Sequence, residues 1–473
     1  MAKVVIVGAG VIGLGTAMLL AQDGHDVTVF ERDPAPPPSS APDAWKVWER
    51  RGVNQFRLPH AFLARFRQIL DTELPKVSRA LEAAGALRMN YVRSVLPETV
   101  TGGWRPGDES YELLTGRRSV TEAVLATVAE GTAGVSIRRG TAVAALETGA
   151  PVVPGIPHVN GLRLQNGTIV HADLVVDVAG RRSALPAWLA EIGARRPSEE
   201  LADSGFVYFG RHFRSADGTL PAQFGPALMH IGTISSLSLP ADNGTWSLGI
   251  VTTSADRALL ALRDPTRWEA VVRSLPLVAH WLDGEPIDVG VKVMAKLEDR
   301  YRGFVIDGEP VATGVVAIGD SWACSNPANG RGASIGMLHA QVLRDQLRAV
   351  GLGDPKRFAE AFYIATAETV EPWYRATFAQ DRHRLHEVEA AIRGDIYDPG
   401  DPLYEAEKAL AAAGPRDPDC LRAGLDIRLV LRRPDEVFAD SALRERALEL
   451  GEDWREDTPP GPTREELLSL VGS

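Results

Sequence analysis

The strongest constraint on this chain sits at its start. Lys3 to Val7 is a short β-branched run that leads into Gly8, Gly10 and Gly13, spaced G-x-G-x-x-G. Ile12 to Gln22 then reads as a helix that Gly24 can end, and Asp26 to Phe30 as a second strand running into Glu31. A strand, a glycine turn, a helix and a strand within about 30 residues predict parallel strands joined by a right-handed crossover. Each glycine has its own reason. Gly8 allows the tight turn, Gly10 lets a pyrophosphate approach the backbone, and Gly13 lets the helix pack closely on the strand. The helix N-terminus adds amide donors and partial positive charge for a diphosphate. Glu31, followed by Arg32, stands where a carboxylate accepts hydrogen bonds from ribose hydroxyls, which disfavours a 2′-phosphate. The motif alone does not separate NAD from FAD.

A chain of 473 residues is too long for one core and predicts roughly two to three domains. A net charge of −11 argues against nucleic acid and anionic membranes as partners. Cys324 and Cys420 lie far apart and show neither a disulfide framework nor metal-ligand spacing, which fits a reducing compartment. With no basic-then-apolar leader and no apolar run of about 18 residues, the expectation is a cytoplasmic protein.

Further along, Pro34 to Pro42 reads as a surface loop. Ala61 to Ala84 and Val120 to Ala129 look helical, and Val135 to Arg139 and Ala142 to Glu147 look like strands. Asn166-Gly167 between two apolar runs signals a hairpin. Short apolar and aromatic runs from Gly205 to Val251 suggest an antiparallel sheet suited to a substrate domain. Beyond Pro355 the chain reads mostly as helices, with Pro459 to Pro462 as a loop before a last short one.

A second glycine turn decides the cofactor. Val315 to Ile318 runs into Gly319-Asp320, then Asn326-Pro327, then Gly330-Arg331-Gly332-Ala333 opening a helix that reaches about Val350. A strand ending in Gly-Asp can place its carboxylate at a ribityl hydroxyl. The helix beyond Gly332 can aim amides at the negative charge that develops on a reduced flavin ring, a need nicotinamide does not have. FAD follows from the pair of turns.

These residues resemble the p-hydroxybenzoate hydroxylase-like superfamily of FAD-dependent monooxygenases, which also contains halogenases and reductases. The family's C-terminal flavin motif is matched by Gly319, Asp320, Ser321, Pro327, Gly330 and Gly332. The segment Ala172 to Ser183, with Gly180, is similar to its middle motif near the pyrophosphate. Arg118 with Glu122 resembles its R-x-x-L-E helix start, whose arginine contacts flavin, although Thr121 replaces the leucine. Arg51-Gly52-Val53 and Gln55 to His60 resemble the segment that approaches the flavin, which assigns Arg51 to the cofactor.

The fold class expected is α/β: a Rossmann-type FAD domain, a mostly antiparallel substrate domain and a helical C-terminal region. The FAD domain is discontinuous over 1–75, 105–185 and 295–350, the substrate domain covers 76–104 and 186–294, and 351–473 is the helical region. His60, Arg57, Trp322, Cys324, Arg331, Tyr208, Phe224 and Trp246 are pocket candidates, each of which equally fits a plain core or loop role. The resemblance implies an FAD-dependent monooxygenase that passes one oxygen atom, through a flavin C4a-hydroperoxide, to a small aromatic or secondary-metabolite substrate. Molecular oxygen is then a co-substrate. In many relatives the middle motif carries Asp-Gly; here the glycine follows Ala179, so the electron donor is either NAD(P)H directly or a separate flavin reductase. The W-x-W-x-I-P signature of tryptophan-type halogenases is absent, which disfavours halogenation. A hydride-transferring dehydrogenase or reductase, and a protein that keeps FAD without turnover, stay open as alternatives.

Overall fold

Five parallel strands carry the first glycine turn, in the order Val315–Ala317, Leu174–Asp177, Lys3–Val7, Asp26–Glu31, Val135–Arg139. The computed structural model describes residues 1–456 and 458–472. Helices cover this sheet, so the middles of its inner strands are apolar, and Val4, Val5, Ile6, Val27, Val29 and Val176 are fully buried. The register decides where chemistry can sit. Val7 pairs with Phe30 and with Asp177, and Asp177 pairs with Ala317. The strands preceding Gly8, Gly180 and Gly319 therefore end side by side, at the carboxyl edge where open parallel sheets bind ligands.

Two helices leave that edge and touch through glycines. Val11–Gln22 follows Gly10, and Gly332–Ala349 follows the second turn. A Cβ on Gly15 would meet Met337 Sδ at 2.5 Å, and one on Gly336 would meet Ile12 Cδ1 at 2.7 Å. Close approach brings both N-termini to the same place.

The second large sheet is antiparallel and runs Leu228–Ile231, Ile234–Pro240, Thr245–Thr253, Phe206–Arg214, with Glu285–Pro286 and Lys292–Met294 also pairing with Phe206–Arg214. Alternation along Phe206–Arg214 assigns its faces. Val207, Phe209 and Phe213 join Trp246, Trp268 and Trp281 in one core, while Phe206 and Tyr208 pack with Leu58, Val251 and Met294 on the other side. On the Tyr208 side Gly210 pairs with Gly249, and a Cβ on Gly210 would lie 2.8 Å from Pro59 Cδ. That pair of glycines seats the loop ahead of His60 against the sheet.

Elsewhere the sequence expectations meet local physics. The hairpin forms between Val159–Leu164 and Ile169–His171, with Gly167 at φ 85°. The single helix expected from Ala61 to Ala84 is instead a two-residue strand, Ala61–Phe62, followed by Ala64–Glu73 and Pro75–Ala83. Pro75 lacks the N–H needed to continue the first helix and starts the second at a position proline tolerates. Helices dominate after residue 354, including Pro355–Thr369, Glu371–Arg393 and Pro418–Arg428. The last helix, Arg464–Leu470, returns to the antiparallel sheet, where Leu467 and Val471 join the Trp268 and Trp281 core.

The helix contact makes a direct prediction. Gly336→Val inserts three carbons where 2.7 Å is available, so unfolding free energy should fall by about 1–3 kcal/mol. Chemical denaturation with an unchanged midpoint would contradict that contact.

Candidate active site

A continuous cavity of about 480 Å³ runs between the carboxyl edge of the parallel sheet and the antiparallel sheet. Gly8, Gly10, Gly13, Glu31 and Arg32 line it from the first turn, and Arg118 and Gly180 from the intervening motifs. Gly319, Asp320, Pro327, Gly330, Gly332 and Ala333 line it from the second turn, together with His60, Tyr208 and Trp322. The glycines differ in what surrounds them. A Cβ on Gly8 would sit 2.6 Å from the Val178 carbonyl oxygen, and one on Gly13 would collide with the Gly8 carbonyl. A Cβ on Gly10, Gly180 or Gly332 would meet nothing within 4 Å. Gly8 and Gly13 thus close the turn, while Gly10, Gly180 and Gly332 leave open backbone facing the cavity, which suits a diphosphate and a flavin edge.

Glu31 is buried and fixed by its own loop. The Ala9 amide donates to Oε2 and the Asp33 amide to Oε1, each at 2.9 Å, and Arg50 Nη2 lies 2.7 Å from Oε2. Each carboxylate oxygen has two lone pairs, so acceptor capacity remains for a ribose hydroxyl.

The assignment of Arg51 is corrected here. Arg51 is exposed and does not line the cavity. Its neighbour Arg50 is buried, with Nη2, Nε and Nη1 at 2.7, 3.1 and 3.3 Å from Glu31, Asp33 and Glu122. Two adjacent arginines at a turn point to opposite sides, and sequence alone does not say which points inward.

Glu122 carries the network onward. Its Oε1 accepts from Arg118 Nε at 2.7 Å, and Arg118 Nη1 lies 3.0 Å from His60 Nε2. A guanidinium has no acceptor, so His60 Nε2 accepts and the imidazole proton resides on Nδ1. Burial, reinforced by Arg118, holds the His60 pKa well below its usual value and keeps the ring neutral. His60 Nδ1 is buried without a hydrogen-bond partner among the described residues, a donor left for a bound molecule.

The second and middle motifs are tied together. Gly180 donates its amide to Ser321 Oγ at 2.9 Å, and Gly319 donates its amide to His339 Nδ1 at 3.3 Å. Burial depresses the His339 pKa to about 3, so the ring accepts as a neutral imidazole. Asp320 reaches the cavity with its carboxylate 3.6 Å from Arg181 Nε. Tyr208 donates its hydroxyl to Asn326 Oδ1, while Asn326 donates its amide to Asp299 at 2.7 Å and Nδ2 to Asp381 at 3.2 Å. Burial pushes the Asp299 carboxyl up to about 6 and raises that of Asp381.

Five more candidates do not line the cavity. Arg57 donates to the Trp48 carbonyl at 2.8 Å and lies 4.7 Å over Trp45. Phe224 is 61% exposed beside His280, in the irregular stretch before Leu228. Trp246 faces the opposite side of the antiparallel sheet from Tyr208 and donates Nε1–H to the Trp281 carbonyl at 2.8 Å. Cys324 is buried, its thiol pushed up to about 11 by desolvation. Arg331 likewise turns away, toward Thr377 Oγ1 at 3.2 Å. The cavity instead recruits residues that no motif announced: Arg50, Tyr91, His339 and Arg428.

The comparisons with known proteins find similarity to FAD-dependent oxidoreductases. Residues 3–74 match the family described as FAD dependent oxidoreductase. Over 387 residues the chain is 28% identical to Protein Rv3254 of Mycobacterium tuberculosis, covering 78% of this chain and 77% of that protein. Among solved structures it resembles PqsL, a probable FAD-dependent monooxygenase from Pseudomonas aeruginosa, with TM-score 0.61 and 17% identity over 83% of this chain and 98% of that one. It also resembles OxyS anhydrotetracycline hydroxylase from Streptomyces rimosus, with TM-score 0.56 and 21% identity over 91% of this chain and 76% of that one. At these identities the two structures establish a shared fold. Among the described residues no helix is long and apolar enough to cross a membrane.

Two predictions follow from the buried groups. Arg50→Met leaves Glu31, Asp33 and Glu122 without their shared cation, and should cost about 3–5 kcal/mol of unfolding free energy together with FAD uptake. Wild-type stability in the variant would refute the network. The second concerns pH: between 6.5 and about 3 the unfolded chain protonates His339 and the folded chain does not, so this residue's contribution falls as pH falls. Relative to His339→Phe, wild type should lose up to about 1.4 kcal/mol more per pH unit across that window. Parallel pH profiles would refute the assignment.

Proposed function

We propose that this protein is an FAD-dependent monooxygenase that inserts oxygen into a small organic molecule held between the flavin and the antiparallel sheet. One observation carries the reading: three strand-end motifs and an apolar chamber open onto one cavity. Gly10, Gly180 and the N-terminus of Val11–Gln22 would hold the diphosphate, and Glu31 the adenosine ribose. Asp320 would hold the ribityl chain, and Gly330 to Ala333 the flavin edge. When bound, the flavin supplies the redox chemistry and activates oxygen.

The protein's own residues then position and exclude. Ala227, Leu237, Leu239, Val251 and Met294 make an apolar wall that keeps water from the reacting atoms. His60 offers its Nδ1 proton at the wall nearest Arg118, held in that tautomer by the Arg118 to Glu122 pair. Tyr208 is fixed by Asn326, so its ring and hydroxyl keep one orientation. The helix beginning at Gly332 presents positive potential to the cavity, which favours a flavin that gains negative charge on reduction.

NAD(P)H, either directly or through a flavin reductase, is the proposed electron source. Purified protein loaded with FAD should bleach under nitrogen with NADH or NADPH, or accept externally reduced flavin, and then consume oxygen with substrate to give a product heavier by one oxygen. A product differing by two hydrogens would indicate hydride transfer instead. A flavin spectrum with no substrate-stimulated turnover would indicate a non-catalytic FAD-binding protein. Asp320→Ala should weaken FAD retention by about tenfold and lower turnover; unchanged flavin content and activity would remove that side chain from the site.

A further inference from the structure

Arg428, the last residue of helix Pro418–Arg428, lines the cavity from the C-terminal helical region. Its guanidinium lies 5.9 Å over the Tyr91 ring and has no carboxylate within ion-pairing distance and no hydrogen bond among the described residues. Arg32 and Arg182 also line the cavity without such a partner among the described residues, but of the three Arg428 is the one that lies over an aromatic ring. The neighbouring arginines Arg65 and Arg422 are satisfied by the Val430 and Leu431 carbonyls and by Asp108, respectively.

Its surroundings place it at the substrate end. Tyr91 also borders a small side pocket with Ala61, Ala227 and Leu239, so the Arg428 to Tyr91 pair adjoins the antiparallel sheet. Arg428 acts electrostatically on His230 of the strand Leu228–Ile231 and on Arg331 of the second glycine turn. The cations nearby are unevenly balanced. Arg384 and Lys408 share Glu387, at 3.2 and 3.0 Å. Arg331 has one hydrogen bond, to Thr377, and of the acids near it burial pushes the Glu407 carboxyl up to about 7 and raises Asp381. A chain with net charge −11 thus keeps uncompensated positive charge at the apolar end of its cavity.

Resting on the flavin reading above, we infer that the substrate is an apolar, ring-bearing acid whose carboxylate pairs with Arg428. A planar guanidinium supported by an aromatic face suits a carboxylate, with two parallel hydrogen bonds available. The apolar wall takes the ring, and the unpartnered His60 Nδ1–H offers a second polar contact.

Calorimetric titration of the FAD-loaded protein with 2-naphthoate and, separately, 2-naphthamide tests this. The acid should bind at least about tenfold tighter than the amide. Arg428→Gln should weaken the acid by about ten- to a hundredfold and leave the amide within about twofold, while Arg428→Lys keeps part of the preference. Equal binding of acid and amide, equal loss of both in Arg428→Gln, or no binding of either to flavin-loaded protein would overturn the inference and leave the flavin reading standing. So would a changed flavin reduction potential in Arg428→Gln with the acid preference intact, because the guanidinium would then serve the ring and not the substrate. A protein that takes up no FAD would instead overturn the flavin reading itself.

Discussion

The register of three parallel strands governs everything else in this molecule. Because Val7, Asp177 and Ala317 end level with one another, the turns that follow them open on a single point in space. Slip any of these strands by one residue and every side chain changes face, taking the apolar core and the turn with it. The burial of Val4 to Ile6, of Val175 to Asp177 and of Val315 to Ala317 therefore does more than stabilise the sheet: it aims three loops at one cavity. Two helix N-termini add their partial charges there, and their approach is set by bare backbone at Gly15 and Gly336.

Around that frame runs a chain of buried charges. Asp33 and Glu31 meet Arg50, Arg50 meets Glu122, Glu122 meets Arg118, and Arg118 meets His60. Each member fixes the next, so Glu122, acting through Arg118, decides the tautomer of His60. Buried charges of this kind are costly to form and severe to break, which makes them better at holding one geometry than at adding stability.

Much of this was legible in the residues. The glycine spacing at Gly8, Gly10 and Gly13 predicted which position closes the turn and which leaves it open, because that division follows from local backbone sterics. The second turn from Gly319 to Gly332 was legible for the same reason. Arg51 was misread for Arg50 because a one-residue change of direction in a loop depends on which side chain finds acids brought from Glu31 and Glu122. Trp246 and Phe224 were misplaced because an aromatic residue in a strand or loop looks the same whichever face of the sheet it meets. Arg428 had no local signal at all, since its place beside Tyr91 arises only when two segments over 300 residues apart fold together.

A two-ended grip should appear as an affinity that neither end has alone. Equilibrium titration of the flavin-free protein with FAD, FMN and ADP measures it directly, because FMN lacks the adenosine end and ADP lacks the flavin. The structure predicts FAD bound at least about a hundredfold tighter than either fragment. No FAD uptake, or an ADP affinity equal to that of FAD, would mean that the second glycine turn holds no part of the cofactor.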